Sequence, residues 1–163
     1  MNDYDHKKDW FYEGQISSKL VDYLRNKGFE ILKDNSKNIH ARGVDIIAVR
    51  DGIKELIEVK GYPTDFYTKG QNKGLLKKTK PKLQAKHWFS EVLLSSFCNY
   101  QKHRSNKYHL QIAVAFPLFD RYTELIKNTS DFFIDFGINI KVYLVDENGL
   151  ILEYKLNQKI NTN

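Results

Sequence analysis

The sequence predicts an α/β protein in three layers, with helices on both faces of a mixed central sheet. Two observations carry this. An Asp51-Gly52 pair joins two apolar runs of strand length, the strongest short-range signal for a two-residue hairpin. Around that hairpin, strand-like runs alternate with segments of helical periodicity, which implies crossover connections and a sheet covered by helices. The expected order is αβββαβ followed by αββ.

Each element has its own signal. The first helix is predicted from about Trp10 to Lys27, with Ile16, Leu20, Tyr23 and Leu24 as its apolar stripe and Gly28 as its stop. Phe29–Leu32 reads as a short strand. The hairpin arms are Val44–Arg50 and Ile53–Lys60, closed by Gly61-Tyr62-Pro63. A polar, glycine-containing loop spans 64–80. Pro81 suits the first turn of a second helix reaching about Tyr100, with Ala85, Trp88, Phe89, Val92 and Phe97 inward. His109–Phe116 is a strong strand. Two helical pieces are expected at Asp120–Lys127 and Asp131–Phe136. Strands at Ile138–Val145 and Leu150–Leu156 complete the chain.

At 163 residues the chain is expected to form one domain with a substantial core. The N-terminus is polar and lacks the apolar run of a signal peptide, and no segment approaches membrane-spanning length. The single Cys98 excludes an internal disulfide framework, argues against structural zinc and fits a reducing cytoplasm. His40 and His87 have no metal-ligand spacing with other histidines. No phosphate-cradling glycine loop occurs, which argues against ATP chemistry.

Net charge is +6, and it is unevenly spread. Lys69, Lys73, Lys77, Lys78, Lys80, Lys82 and Lys86 fall in one stretch without an acid. Such a run is either a solvated loop or a surface for a polyanion.

The chemistry concentrates at the base of the hairpin. With Asp51 and Gly52 as the turn, Arg50 pairs with Ile53 and Asp45 falls opposite Glu58, on a rung where Cα atoms are only ~4.5 Å apart. Lys60 is two residues beyond Glu58, on the same face. Two carboxylates forced together need a shared proton or a cation. Hard oxygen ligands in an open site suit Mg²⁺, with Mn²⁺ as a substitute. Glu13 stands on the sheet-facing stripe of the first helix, where an acid is costly unless something binds it. Its alternative role is at an exposed helix start, favoured by the dipole.

Gly43-Val44-Asp45 and Glu58-Val59-Lys60, after a helix bearing Glu13, resemble the PD-(D/E)XK nuclease superfamily. Leu24 to Ile31, Gly43 to Ala48 and Ile57 to Tyr62 are most similar to Mrr-like restriction endonucleases, and also to archaeal Holliday junction resolvases. The resemblance covers about residues 13–100 and implies a restriction endonuclease-like core and a Mg²⁺-dependent deoxyribonuclease. It implies that Asp45 and Glu58 ligate metal with the Val59 carbonyl as a further ligand, that Glu13 binds a second metal or orients water, and that Lys60 positions the nucleophile or stabilises the phosphorane. By that alignment the helix acid would fall at Ser17, one turn after Glu13. Gln84 resembles a helix glutamine of some branches, with Trp88 where a tyrosine is usual; it would reach the catalytic cluster while Trp88 packs, or be an ordinary exposed polar residue. The lysine run would then hold the phosphate backbone of DNA, and Phe66 and Tyr67 would stack on unpaired bases or pack locally. Other readings are a binding module without activity, or a subunit of a larger restriction or repair complex. Double-strand cutting would call for a homodimer.

Overall fold

The computed structural model describes residues 5–36, 42–104 and 107–157; His40 lies outside them. After a short 3₁₀ turn at His6–Lys8 come α1 (Glu13–Asn26), β1 (Glu30–Asp34), β2 (Ile46–Arg50), β3 (Ile53–Val59), α2 (Pro81–His103), β4 (His109–Pro117), α3 (Asp120–Asp135), β5 (Ile140–Val145) and β6 (Ile151–Lys155). The order is the one the sequence predicts.

The six strands form one mixed sheet in chain order, β1 to β6. β1–β2–β3 and β5–β6 pair antiparallel, whereas β3–β4–β5 pair parallel through the α2 and α3 crossovers. The parallel centre is covered on both faces, so its strands are apolar throughout. Ala113, Val114, Ala115 and Phe116 of β4 are all fully buried. On one face Ile16, Leu20 and Leu24 of α1 pack on Ile46, Ile57, Val59, Ala115 and Tyr143. On the other, Phe89, Val92, Tyr122 and Phe133 from α2 and α3 pack on Val114, Phe116, Val142 and Leu144. The three layers follow directly.

The hairpin obeys its turn chemistry. Asp51 and Gly52 both have positive φ, 52° and 77°, which is the backbone of a type I′ turn. Arg50 pairs with Ile53 and Ile46 with Ile57, so the predicted register holds to the end of the ladder.

Three expectations need correction. The two helical pieces after β4 are one continuous helix, α3. Thr129 and Ser130, between the two expected pieces, bond back through their hydroxyls to the carbonyls of Leu125 and Lys127 and are absorbed into it. Phe97 is 40% exposed, because the buried stripe of α2 runs through Ala85, Phe89, Val92, Ser96 and Asn99 instead. The first helix begins at Glu13, not Trp10, leaving Trp10 free to stack on Phe119 with ring centroids 5.1 Å apart.

Among the described residues no helix is long and apolar enough to cross a membrane.

Candidate functional site

The site gathers where β2 begins and β3 ends. Asn35 holds the chain just before β2: its amide donates to the Asp45 carbonyl at 3.0 Å, and its side chain donates to the Val44 carbonyl at 3.3 Å. Asp45 is thereby aimed at β3, where its Oδ2 accepts from the Val59 amide at 2.9 Å. The Lys60 amide donates to Ala115 on β4 at 3.0 Å. Backbone groups alternate along a strand, so the Val59 carbonyl projects toward the Asp45 side.

Glu58 faces the α2 layer, where Asn99 Nδ2 donates to its Oε1 at 2.6 Å. Lys60 Nζ approaches Glu13 Oε2 at 3.7 Å, and both side chains are mostly buried. Glu13 is brought there by Gly61. A Cβ on Gly61 would stand 2.5 Å from the Phe11 carbonyl oxygen and 2.8 Å from the Glu13 nitrogen, so only glycine lets the start of α1 dock at this point. The Tyr62 amide donates to Phe11 and the Tyr122 hydroxyl to Gly61, fixing the same junction.

The electrostatics are those of too many buried carboxylates for one cation. Burial pushes Glu58 up to about 7, reinforced by the Asp45 charge and opposed by the Asn99 hydrogen bond and Lys60. Burial likewise pushes Glu13 up to about 7; Lys60 pulls it down, while Asp45 and Glu91 push it up. Asp45 is raised by burial despite the Val59 hydrogen bond and the charges of Lys60 and Lys33. At neutral pH such a set either retains protons or attracts another cation.

Asp45, Glu58, Lys60 and Glu13 thus come together from three elements. Glu13, rather than the buried Ser17 one turn later, is the α1 side chain that reaches Lys60. Gln84 does not join them. It lies fifteen residues before Asn99 on α2, an axial separation of about 22 Å, and its Oε1 accepts from Lys77 at 3.3 Å. The α2 residue at the cluster is Asn99, which the sequence reading passed over; its place on the Ala85–Phe89–Val92 stripe was the available signal.

The donor set can be tested against Mg²⁺. Among the described residues no three His, Cys, Asp or Glu side chains form a ready metal cluster, and Glu13, the expected third acid, is engaged by Lys60. Mg²⁺, however, binds through one or two carboxylates and keeps several waters. Asp45, Glu58 and the Val59 carbonyl fit that requirement. Ser96 Oγ, buried without a hydrogen-bond partner, adds a spare polar group one turn from Asn99 on the same stripe of α2.

The lysine run divides. Lys77 is partly buried against Thr64 and Gln84, and burial lowers its pKa. Lys73, Lys78, Lys80, Lys82 and Lys86 are exposed, and so is Lys69. Phe66 is 45% exposed and Tyr67 half-buried.

No family model matches the chain, and no curated protein matches it. Among solved structures it is similar to an fdxN element excision controlling factor protein from Anabaena variabilis, with a TM-score of 0.50. The match covers 87% of this chain and 98% of that one at 18% sequence identity. A likeness at that identity is one of fold.

Proposed function

We propose that the protein is a metal-dependent endonuclease of the PD-(D/E)XK superfamily that hydrolyses DNA phosphodiester bonds. The observation that carries this is the hairpin register. It sets Asp45 against the Glu58-Val59-Lys60 segment and so brings two raised-pKa carboxylates beside a lysine. As packing alone, that arrangement costs free energy. As a place for a divalent cation and a phosphate, it is satisfied.

Asp45, Glu58 and the Val59 carbonyl would hold Mg²⁺. When bound, the ion supplies a water of lowered pKa and countercharge on the phosphoryl oxygens. Lys60 places a positive charge beside the pentacoordinate phosphate without competing as a ligand. Glu13, held by Lys60 and titrating near neutrality, is suited to accept a proton from the attacking water. Asn99 orients the Glu58 carboxylate. The superfamily resemblance implies 5′-phosphate and 3′-hydroxyl products.

The name of the similar structure, an excision controlling factor, favours a second reading. There the chain acts within a larger restriction, repair or recombination complex and binds DNA without cutting it.

Plasmid nicking separates the two. Supercoiled DNA incubated with protein and Mg²⁺ or Mn²⁺ is expected to be nicked, with no product in EDTA and a rate about 10²-fold lower or less for Lys60→Ala. Binding without cutting, across supercoiled, branched and single-stranded DNA, would establish the second reading instead.

A further inference from the structure

The segment following Lys60 builds a groove that the carboxylate cluster does not use. It encloses about 1290 Å³ between residues 62–82, the chain start and Phe119. The segment is tied across itself. The Tyr67 amide donates to Leu75 at 2.9 Å, the Gly74 amide to Tyr67 at 2.8 Å and the Lys77 amide to Asp65 at 2.8 Å. Phe66 and Leu76 form an antiparallel bridge. Lys73 is carried on this closed turn and Lys77 closes it, while Lys80 and Lys82 stand at the start of α2.

Two chemistries share the lining. One is aromatic: Tyr62 stacks on Phe119 with ring centroids 4.2 Å apart, and Phe11 meets Phe119 edge-on at 5.6 Å. Phe66 and Tyr67 add further rings. The same lining carries Lys73, Lys77, Lys80 and Lys82, against Asp65 as the single acid among the described lining residues. An apolar peptide would make no use of the exposed Lys73, Lys80 and Lys82. A continuous duplex would meet the lysines but keep its bases stacked away from the rings. Unpaired nucleotides use both, through stacking on aromatic faces and phosphate contacts with lysine.

We propose that this groove binds a single-stranded DNA segment adjoining the bond to be cut, so that the substrate is a flap, junction or gapped DNA. The choice of DNA and of a cut beside the groove rests on the nuclease reading. Tyr62 follows Lys60 by two residues, so their Cα atoms are at most about 7 Å apart. Phe11, which also lines the groove, is likewise two residues from Glu13, so the groove adjoins the cluster.

The test measures binding of the full chain in EDTA, where no cutting occurs, to fluorescein-labelled oligothymidine and to a blunt duplex of equal length. The single strand is expected to bind more tightly. Phe66→Ala and Tyr67→Ala should each weaken it about tenfold, with melting temperature recorded as the control for folding. Lys73→Ala combined with Lys80→Ala should flatten the slope of log affinity against log salt by about 1.4. Equal or tighter duplex binding overturns the proposal, and so do folded aromatic variants that keep full single-strand affinity. Single-strand preference that depends on Phe66 and Tyr67, without metal-dependent cutting, sinks the nuclease reading and leaves the groove standing. Cutting without single-strand preference does the reverse.

Discussion

Asp45 Oδ2 accepts a 2.9 Å hydrogen bond from the amide of Val59, the residue between Glu58 and Lys60. A side chain at the mouth of one strand thus caps the end of its neighbour, where the ladder runs out. The same contact holds the Asp45 charge near Glu58 and helps raise the Glu58 pKa. Neutralising it in Asp45→Asn should return Glu58 toward its ordinary value of 4.5. Carbon-13 titration of the Glu58 carboxyl reads this directly; an unchanged midpoint near 7 would break the link.

Asn99 acts on Glu58 in the opposite direction. Its hydrogen bond favours the ionised carboxylate, so Asn99→Leu is expected to move Glu58 above about 7. The same titration checks it. A downward shift would mean that Asn99 is not the residue holding the carboxylate.

Stability should fall as pH rises through the acidic range. Glu13 and Glu58 have folded pKa values of about 7, raised from 4.5. Their contribution is complete below about 4.5, where both states are protonated, and is lost as pH climbs through about 7. Urea midpoints measured in chelator across that window should decline, and less steeply in Glu58→Gln. Mg²⁺ at one hundred times its dissociation constant should add about 2.7 kcal/mol, or about 5–10 °C in melting temperature, at neutral pH. No Mg²⁺ response in the folded wild type would count against the carboxylates as a metal site.

Gly61→Ala tests how the site is assembled. The added methyl meets the Phe11 and Glu13 backbone rather than a side chain that can swing aside, so it should cost about 1–3 kcal/mol. Because the strain falls where α1 docks beside Lys60, the Glu13 pKa should shift along with the denaturation midpoint. A variant as stable as wild type would show that this junction gives way easily.

A second buried carboxylate serves as contrast. Glu55, 4% exposed, accepts from the Tyr143 hydroxyl at 2.6 Å and pairs with Lys141 at 3.1 Å. Both oxygens are satisfied, and this network braces the sheet under α1. Tyr143→Phe should cost about 1–3 kcal/mol by leaving one oxygen bare, read as a lowered urea midpoint with the Glu58 titration unmoved.

Local chemistry settles much of this protein. A type I′ turn leaves one register available to the arms, so Asp51 and Gly52 place Asp45 against the Glu58 segment whatever the rest of the chain does. The helical stripe places Glu13 toward the sheet, and apolar runs without alternation mark β4 and β5 as buried on both faces. Distant assembly decides the remainder. Which turn of a 23-residue helix faces the cluster depends on where the loop after Lys60 delivers Pro81, so Asn99 holds Glu58 and Gln84 does not. The need for glycine at position 61 comes from the backbone of residues 11–13, and the groove draws its rings from the chain start, the 62–82 segment and Phe119. Turn and periodicity rules act over a few residues, whereas these contacts join segments whose approach exists only once the sheet has brought them together.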